Sequence, residues 1–204
     1  MKPSIAPGTA EVCPWNVVAS VRGGEFPNGI SLLGRFGAAF RTGFYNVLVA
    51  KVADPRAFVE DLRREMARRP EEAASLHRVS PLTRTFGFRT PTEFREKAAA
   101  IACEWAGRVE GKRFGVNLRR RGFKGLLRAP DEERHLRSVL VEATEKVGRP
   151  AKPAFGNPEV IVLVETVGNQ AGMALWTRGE LERYTFLGWS EVGKRKSEVE
   201  RMVS

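Results

Sequence analysis

Apolar and polar positions alternate most cleanly in the stretch Arg113 to Arg128, RFGVNLRRRGFKGLLR. Phe114, Val116 and Leu118 fall on one face of a strand; Arg113, Asn117 and Arg119 fall on the other. Strict alternation turns Arg120 to the apolar side, so the strand ends or bulges there, or Arg120 reaches past the core edge. N-terminal to this stretch, Trp15 to Val21 and Phe44 to Val52 are apolar, β-prone runs. Arg22 to Gly29 carries turn residues, and Ile30 to Phe40 places Leu33, Phe36 and Phe40 at helical spacing, weakened by Gly34 and Gly37. Asp54 and Pro55 open a helix with Phe58, Val59, Leu62 and Met66 on one side. Arg63, Arg64, Arg68 and Arg69 lie mostly on its other side, and Pro70 stops it. Leu76 to Phe88 predicts a strand region bent at Pro81.

The order strand, weak helix, strand, helix, strand predicts a small α+β sandwich of the ferredoxin-like kind over 15–88, after an irregular lead-in at 1–14. A second unit, 89–188, opens at Thr90, Pro91 and Glu93, a capping box with proline at the first helical position. Phe94, Ala98, Ile101, Trp105 and Val109 form one apolar stripe. The central strand follows, then a helix from Asp131 to Val147 with Leu136, Val139, Leu140, Ala143 and Val147 inward and Gly148 as its stop. Pro150, Pro153 and Pro158 mark a rigid connection. Val160 to Val167 and Met173 to Trp176 predict a strand pair around the Gly168–Asn169 turn, then a short helix at Arg178 to Tyr184 and a polar tail at 189–204.

Charge sharpens this picture. The 204 residues carry a formal net charge of +10. No Asp or Glu interrupts the run from Lys112 to Arg128. Such a field calls for an anionic partner, and nucleic acid is the commonest large one; the alternative is a solvated basic edge guarding the sheet. No apolar run approaches the roughly 20 residues of a membrane helix. The N-terminus lacks a signal-peptide core, so cytoplasmic residence without a membrane partner is expected. Cys13 and Cys103 have no metal-ligand spacing, and neither a metal nor a cofactor is expected.

Catalytic machinery is hard to assemble. His77 and His135 are the two histidines, one in a strand and one in a helix. No phosphate loop, dinucleotide fingerprint or nucleophile turn is present. Cys103 sits near a buried stripe and reads as a structural thiol. Glu132 and Glu133 at a helix start match the helix dipole better than acid–base catalysis. Phe123, between Gly122 and Lys124, is a candidate for stacking on a base or for anchoring the basic loop to the core; the apolar Leu126 and Leu127 favour the anchor.

From about Phe88 to Leu187 the chain resembles a THUMP domain, the RNA-binding module attached to several tRNA-modifying enzymes. The resemblance rests on the helix TPTEFREKAAAIACEWAG, the strand FGVNLRRRG, the helix HLRSVLVEATEKVG and the strand pair PEVIVLVETVGNQAGMALW. It implies an α+β chain with an N-terminal ferredoxin-like domain followed by a THUMP-like α/β domain, gripping the tRNA acceptor stem and 3′ end. Family enzymes carry a catalytic domain beside this pair, whereas only a short tail follows Leu187 here. The chain is therefore similar to stand-alone members, such as the non-catalytic adaptor that presents tRNA to a separate cytidine acetyltransferase. On this resemblance the phosphate contacts are Arg113, Arg119, Arg120, Arg121, Lys124 and Arg128, with Lys112 and Arg89 widening the patch. The rival readings are an RNA-modifying enzyme with an unrecognised active site and a structural protein bound to ribosomal RNA.

Overall fold

The computed structural model describes residues 15–188. The lead-in with Cys13 and the polar tail at 189–204 lie outside the described residues. The first sheet holds β1 (Val17–Val21), β2 (Gly37–Arg41), β3 (Val47–Val52) and β4 (Leu76–Pro81) in the order β2-β3-β1-β4, all antiparallel. Helices α1 (Phe26–Gly34), α2 (Pro55–Arg68) and the short α3 (Pro70–Ala74) complete a ferredoxin-like unit. Its core joins Val17, Leu48 and Val79 of the sheet to Leu32, Phe58 and Leu62 of the helices. Each such side chain contributes roughly 1.5–3 kcal/mol on burial.

Local chemistry explains these elements, and two departures from the expected ones. The Asp54 carboxylate accepts the Arg56 N–H at 2.7 Å, capping α2 beside Pro55. Helix α1 starts four residues earlier than Ile30, inside the expected loop, because Pro27 fits a first helical turn. It stops at Gly34, and 37–41 is a strand; the helical spacing of Leu33, Phe36 and Phe40 joins positions from two elements. Gly29 is buried within α1, where a Cβ would stand 2.9 Å from side-chain atoms of Leu48 and Val21; glycine lets helix and sheet approach.

The second sheet has the order β5-β9-β8-β6-β7. Its strands are β5 (Arg84–Gly87), β6 (Arg113–Arg119), β7 (Lys152–Pro153), β8 (Val160–Val167) and β9 (Gln170–Thr177). Strand β5 falls inside the range 15–88 yet pairs with β9. Since β6 is parallel to β7 and β8, while β9 is antiparallel to both β8 and β5, four strands run one way and β9 runs back. Helices α4 (Pro91–Glu104), the short α5 (Ala106–Val109) and α6 (Ala129–Lys146) cover one face. Phe94, Ala98, Trp105, Val109, Leu136 and Leu140 pack there on Phe114, Val116 and Leu118. A last helix, α7 (Arg178–Arg183), and a 3-10 turn at Thr185–Leu187 close the described chain.

Here too the structure refines the reading. The Thr90 hydroxyl accepts the Glu93 N–H at 3.1 Å, but the Glu93 carboxylate takes the Arg89 N–H at 2.7 Å instead of that of Thr90, so half of the capping box forms. Helix α6 begins at Ala129 because Pro130 fits its first turn. Val147 is exposed rather than inward, and Thr144 is fully buried in that layer. The Thr144 hydroxyl donates to a carbonyl of its own helix, Leu140 O at 2.8 Å, and accepts the Ala151 N–H at 2.9 Å, which makes the polar burial tolerable. Cys103 is exposed, not part of the buried stripe. Strand β9 starts at Gln170, three residues before Met173.

The two units share a third apolar cluster. Trp15, Val18 and Leu82 from the first pack against Leu163, Ala174 and Trp176 from the second. The strands of the second sheet are thus covered on both faces, by helices on one side and by the first unit on the other.

Candidate nucleic-acid interface

The strand directions decide where the basic residues gather. Helix α4 follows the C-terminal end of β5, α6 follows the C-terminal end of β6, and the Gly168–Asn169 turn follows that of β8. Because β5, β6 and β8 run the same way, all three connections lie at one end of the sheet. Backbone bonds tie them together: Phe88 N–H donates to Asn169 O at 2.8 Å and Gly168 N–H to Arg121 O at 2.9 Å. Gly122, at φ +102°, comes so near that a Cβ would stand 3.0 Å from Gly168 Cα. Phe123 stacks on Phe88 with ring centroids 4.8 Å apart and is half-buried. The geometry favours its role as the loop anchor over a ring offered to a base.

The eight predicted basic contacts separate into three groups. Arg89, Arg120, Lys124 and Arg128 belong to this end of the sheet: Arg89 precedes α4, and the other three lie between β6 and α6. Arg89, Lys124 and Arg128 are exposed. Strand β6 ends at Arg119, so Arg120 escapes the alternation; it is half-buried and donates to Gly122 O. Arg128 stands 3.5 Å from Asp131, with its side chain 75% exposed. It flanks α6 without capping it, so the positive end of that helix has no side-chain acceptor at its N-cap.

Lys112 and Arg113 form the second group. Lys112 precedes β6 and Arg113 begins it, at the opposite end of the sheet. Lys112 Nζ donates to Arg108 O at 2.7 Å, and Arg113 lies 3.5 Å from Glu159.

Arg119 and Arg121 form the third group, and they turn inward. Arg119 donates to Glu165 Oε1 at 3.1 Å, to Ser80 Oγ at 3.2 Å and to Gly188 O at 3.3 Å. Arg121 donates to the second oxygen of Glu165, and to Ser20 Oγ at 3.4 Å. The Arg side chains are 11% and 17% exposed and Glu165 is 1% exposed. Burial pushes the Glu165 carboxyl up, but Arg121 and Arg119, joined by the Ser80 hydroxyl, outweigh it and hold the carboxyl below its ordinary value. The face of β6 expected to present cations therefore meets the first unit, and Asn117 on that face is buried as well. Sequence reasoning missed Glu165; the signal was a lone acid inside the apolar run VIVLVETV, which needs a buried partner.

The other candidates are dispersed. Glu132 and Glu133 do lie at the start of α6, and both are buried there. Glu132 takes two bonds from Arg95 at 2.8 Å, joining α4 to α6, and Glu133 accepts the Leu118 N–H at 3.0 Å. His77 is exposed on β4 and His135 half-buried on α6, so the fold does not bring the histidines together. Among the described residues no cluster of His, Cys, Asp and Glu is placed to hold a metal ion, and no helix is long and apolar enough to cross a membrane. On α2, Arg63 and Arg64 meet Glu60, while Arg68 and Arg69 meet Glu65.

No family model and no curated protein matches the chain. Solved structures do match. PH1313 from Pyrococcus horikoshii superposes with a TM-score of 0.56 at 12% identity, over 79% of this chain and 54% of its own. A 4-thiouridine synthetase, solved as an RNA complex with bound ATP, superposes at 0.50 with 11% identity, over 79% of this chain and 41% of its own. The fold is THUMP-like. At these identities the likeness establishes architecture: a ferredoxin-like unit followed by a THUMP-like unit. The chain spans about half the length of the first of these structures and less of the second. Within the THUMP-like unit, the basic end is formed by the starts of α4 and α6.

Proposed function

We propose that the chain is a non-catalytic RNA-binding module of tRNA modification. It holds tRNA by the acceptor stem and 3′ end and presents it to a separate modifying enzyme; the family resemblance points to a cytidine acetyltransferase as that enzyme. The observation that carries the reading is the gathering of Arg89, Arg120, Lys124 and Arg128 around two helix N-termini at one end of the second sheet. Guanidinium and ammonium groups there neutralise phosphates, and the α6 N-terminus, whose N-cap residue Arg128 offers no side-chain acceptor, adds N–H donors for the same oxygens. Phosphate contacts position an RNA without reading its sequence, so selectivity rests on shape, 2′-hydroxyls and unpaired ends. The shared fold with a synthetase solved in complex with RNA supports the same partner class.

The test is direct. Purified protein is mixed with unmodified tRNA, binding is measured, and the nucleosides are then analysed by mass spectrometry. The expected result is salt-sensitive binding with unchanged nucleosides. Modification by this chain alone would overturn the adaptor reading and leave the RNA-binding reading standing.

A further inference from the structure

The two sheets end in four edge strands, β2, β4, β5 and β7. A free edge invites pairing with another chain, and proteins blunt edges with proline, bulges, charges or covering segments. Three of these four are blunted. Strand β4 ends in Pro81, its register on β1 shifts at Ser20 and Val21, and the 3-10 turn at Thr185–Leu187 packs beside it. Strand β7 has two residues, one of them Pro153. In the four-residue β5, the Gly87 carbonyl accepts from Lys97 Nζ at 2.7 Å. Strand β2 has none of these devices. Its sequence GAAFR holds no proline, and it pairs with β3 in unbroken register. Its one large apolar side chain, Phe40, is 56% exposed.

The hairpin fixes which backbone groups of β2 are open. Thr42 N–H donates to Val47 O at 3.1 Å. Antiparallel partners exchange bonds at every second residue, so Ala38 and Phe40 turn their N–H and C=O groups to Lys51 and Val49. Ala39 and Arg41 turn theirs outward. The bond from Val21 N–H to Asn46 O, at 2.9 Å, agrees with this alternation, since the other set of residues along β3 then serves β1. The side chains follow the same register. Directly opposed residues share a face, so Phe40 and Ala38 lie on the face of Val49. The second unit covers Val18 and Val49 there and leaves Ala38 and Phe40 exposed.

We infer that β2 pairs with β2 of a second copy of this chain, antiparallel about a twofold axis at Ala39, joining the two first sheets into one. The strand is self-complementary in this register, as a twofold interface requires. The outward groups of Ala39 meet those of the second Ala39, and Arg41 meets Gly37. Phe40 stands opposite the small Ala38 and diagonal to the second Phe40, within reach of an aromatic side chain. Charge selects this register. An axis at Arg41 would set two guanidiniums directly opposite, which is destabilising, and an axis at Phe40 would pair three residues of each β2 rather than five. Five residues a side fall short of a standard interface of roughly 1,200–2,000 Å², so the association is weak and depends on concentration. The inference is separate from the RNA-binding reading, whose cations lie in the second unit.

The experiment uses the full chain in sedimentation equilibrium, over a concentration series reaching on the order of 1 mM. A monomer–dimer equilibrium is expected. Amide hydrogen exchange, followed residue by residue with NMR, reads the register. The Ala39 and Arg41 amides should gain protection as concentration rises, while those of Ala38 and Phe40, already bonded to β3, should change little. Phe40→Lys should raise the dimer dissociation constant about tenfold or more, through the lost ring burial, with thermal unfolding near wild type. Ala39→Pro, which removes one outward donor at an edge position that proline tolerates, should do the same. If Ala39→Pro fails to fold, Phe40→Lys decides. A chain that stays monomeric throughout the series would overturn the inference. So would a dimer that survives Phe40→Lys unchanged, or one that leaves the Ala39 and Arg41 amides unprotected.

Discussion

Arg119 and Glu165 are direct neighbours on the parallel strands β6 and β8, and their side chains meet 3.1 Å apart in the seam between the two units. Arg121 takes the other oxygen of the same carboxylate, and Ser80 reaches it from β4. Two arginines that would serve as phosphate ligands on a surface instead fasten one unit to the other.

This arrangement predicts that Glu165→Gln is severely destabilising. Removing one partner of a buried ion pair costs about 3–5 kcal/mol, because the remaining charges stay buried without compensation. For a chain of this size that lowers Tm on the order of 10 °C. Arg119→Ala with Arg121→Ala should act in the same direction. Thermal unfolding checks both, and a loss of tRNA affinity at unchanged Tm would contradict the structural role.

The same carboxylate sets an acid limit. Glu165 titrates lower in the folded chain than its unfolded value of about 4.3. The unfolded chain therefore binds more protons in acid, and stability falls as pH falls. The contribution of Glu165 is complete above about pH 5 and disappears as pH drops through its folded value. Glu60, held to about 2 by hydrogen bonds from Arg63 and Arg183, acts in the same direction from the α2 surface. Urea unfolding at a series of pH values should show a shallower acid dependence for Glu165→Gln than for wild type. Equal slopes would remove Glu165 from the account.

A fragment beginning at Phe88 is the natural test of separable units. It would lack β5, the edge strand paired with β9, and would uncover Trp176 and Leu163, which pack on Trp15, Val18 and Leu82. It should give no cooperative unfolding transition. A sharp melt, with native-like circular dichroism, would show that the second unit folds without the seam.

Much of this was legible in the chain. Asp54–Pro55 and Thr90–Pro91 marked two helix starts, because capping and proline geometry are local. The stripe from Phe94 to Val109 and the alternation of Phe114, Val116 and Leu118 located the second core. What escaped depended on long-range pairing. Nothing local to Arg119 says that residue 165 is acidic and opposite it; that follows from the register of β6 on β8. Phe40 looked like the end of a helical stripe, because its spacing from Phe36 is also compatible with a helix. The basic run looked continuous because sequence does not show that Lys112 and Arg128 stand at opposite ends of a sheet.

The central claim is that RNA phosphates meet the end of the sheet where α4 and α6 begin. The most direct measurement is tRNA affinity across a salt series, for wild type and for a variant with Arg89, Arg120, Lys124 and Arg128 all replaced by alanine. Lys112→Ala with Arg113→Ala serves as the control. Each lost phosphate contact removes roughly 0.7–0.9 from the slope of log affinity against log salt. The account predicts a slope reduced by up to about three, weaker binding and a Tm close to wild type, with the control near wild type throughout. A fourfold variant that keeps the wild-type affinity and slope, or a control that loses both, would contradict it.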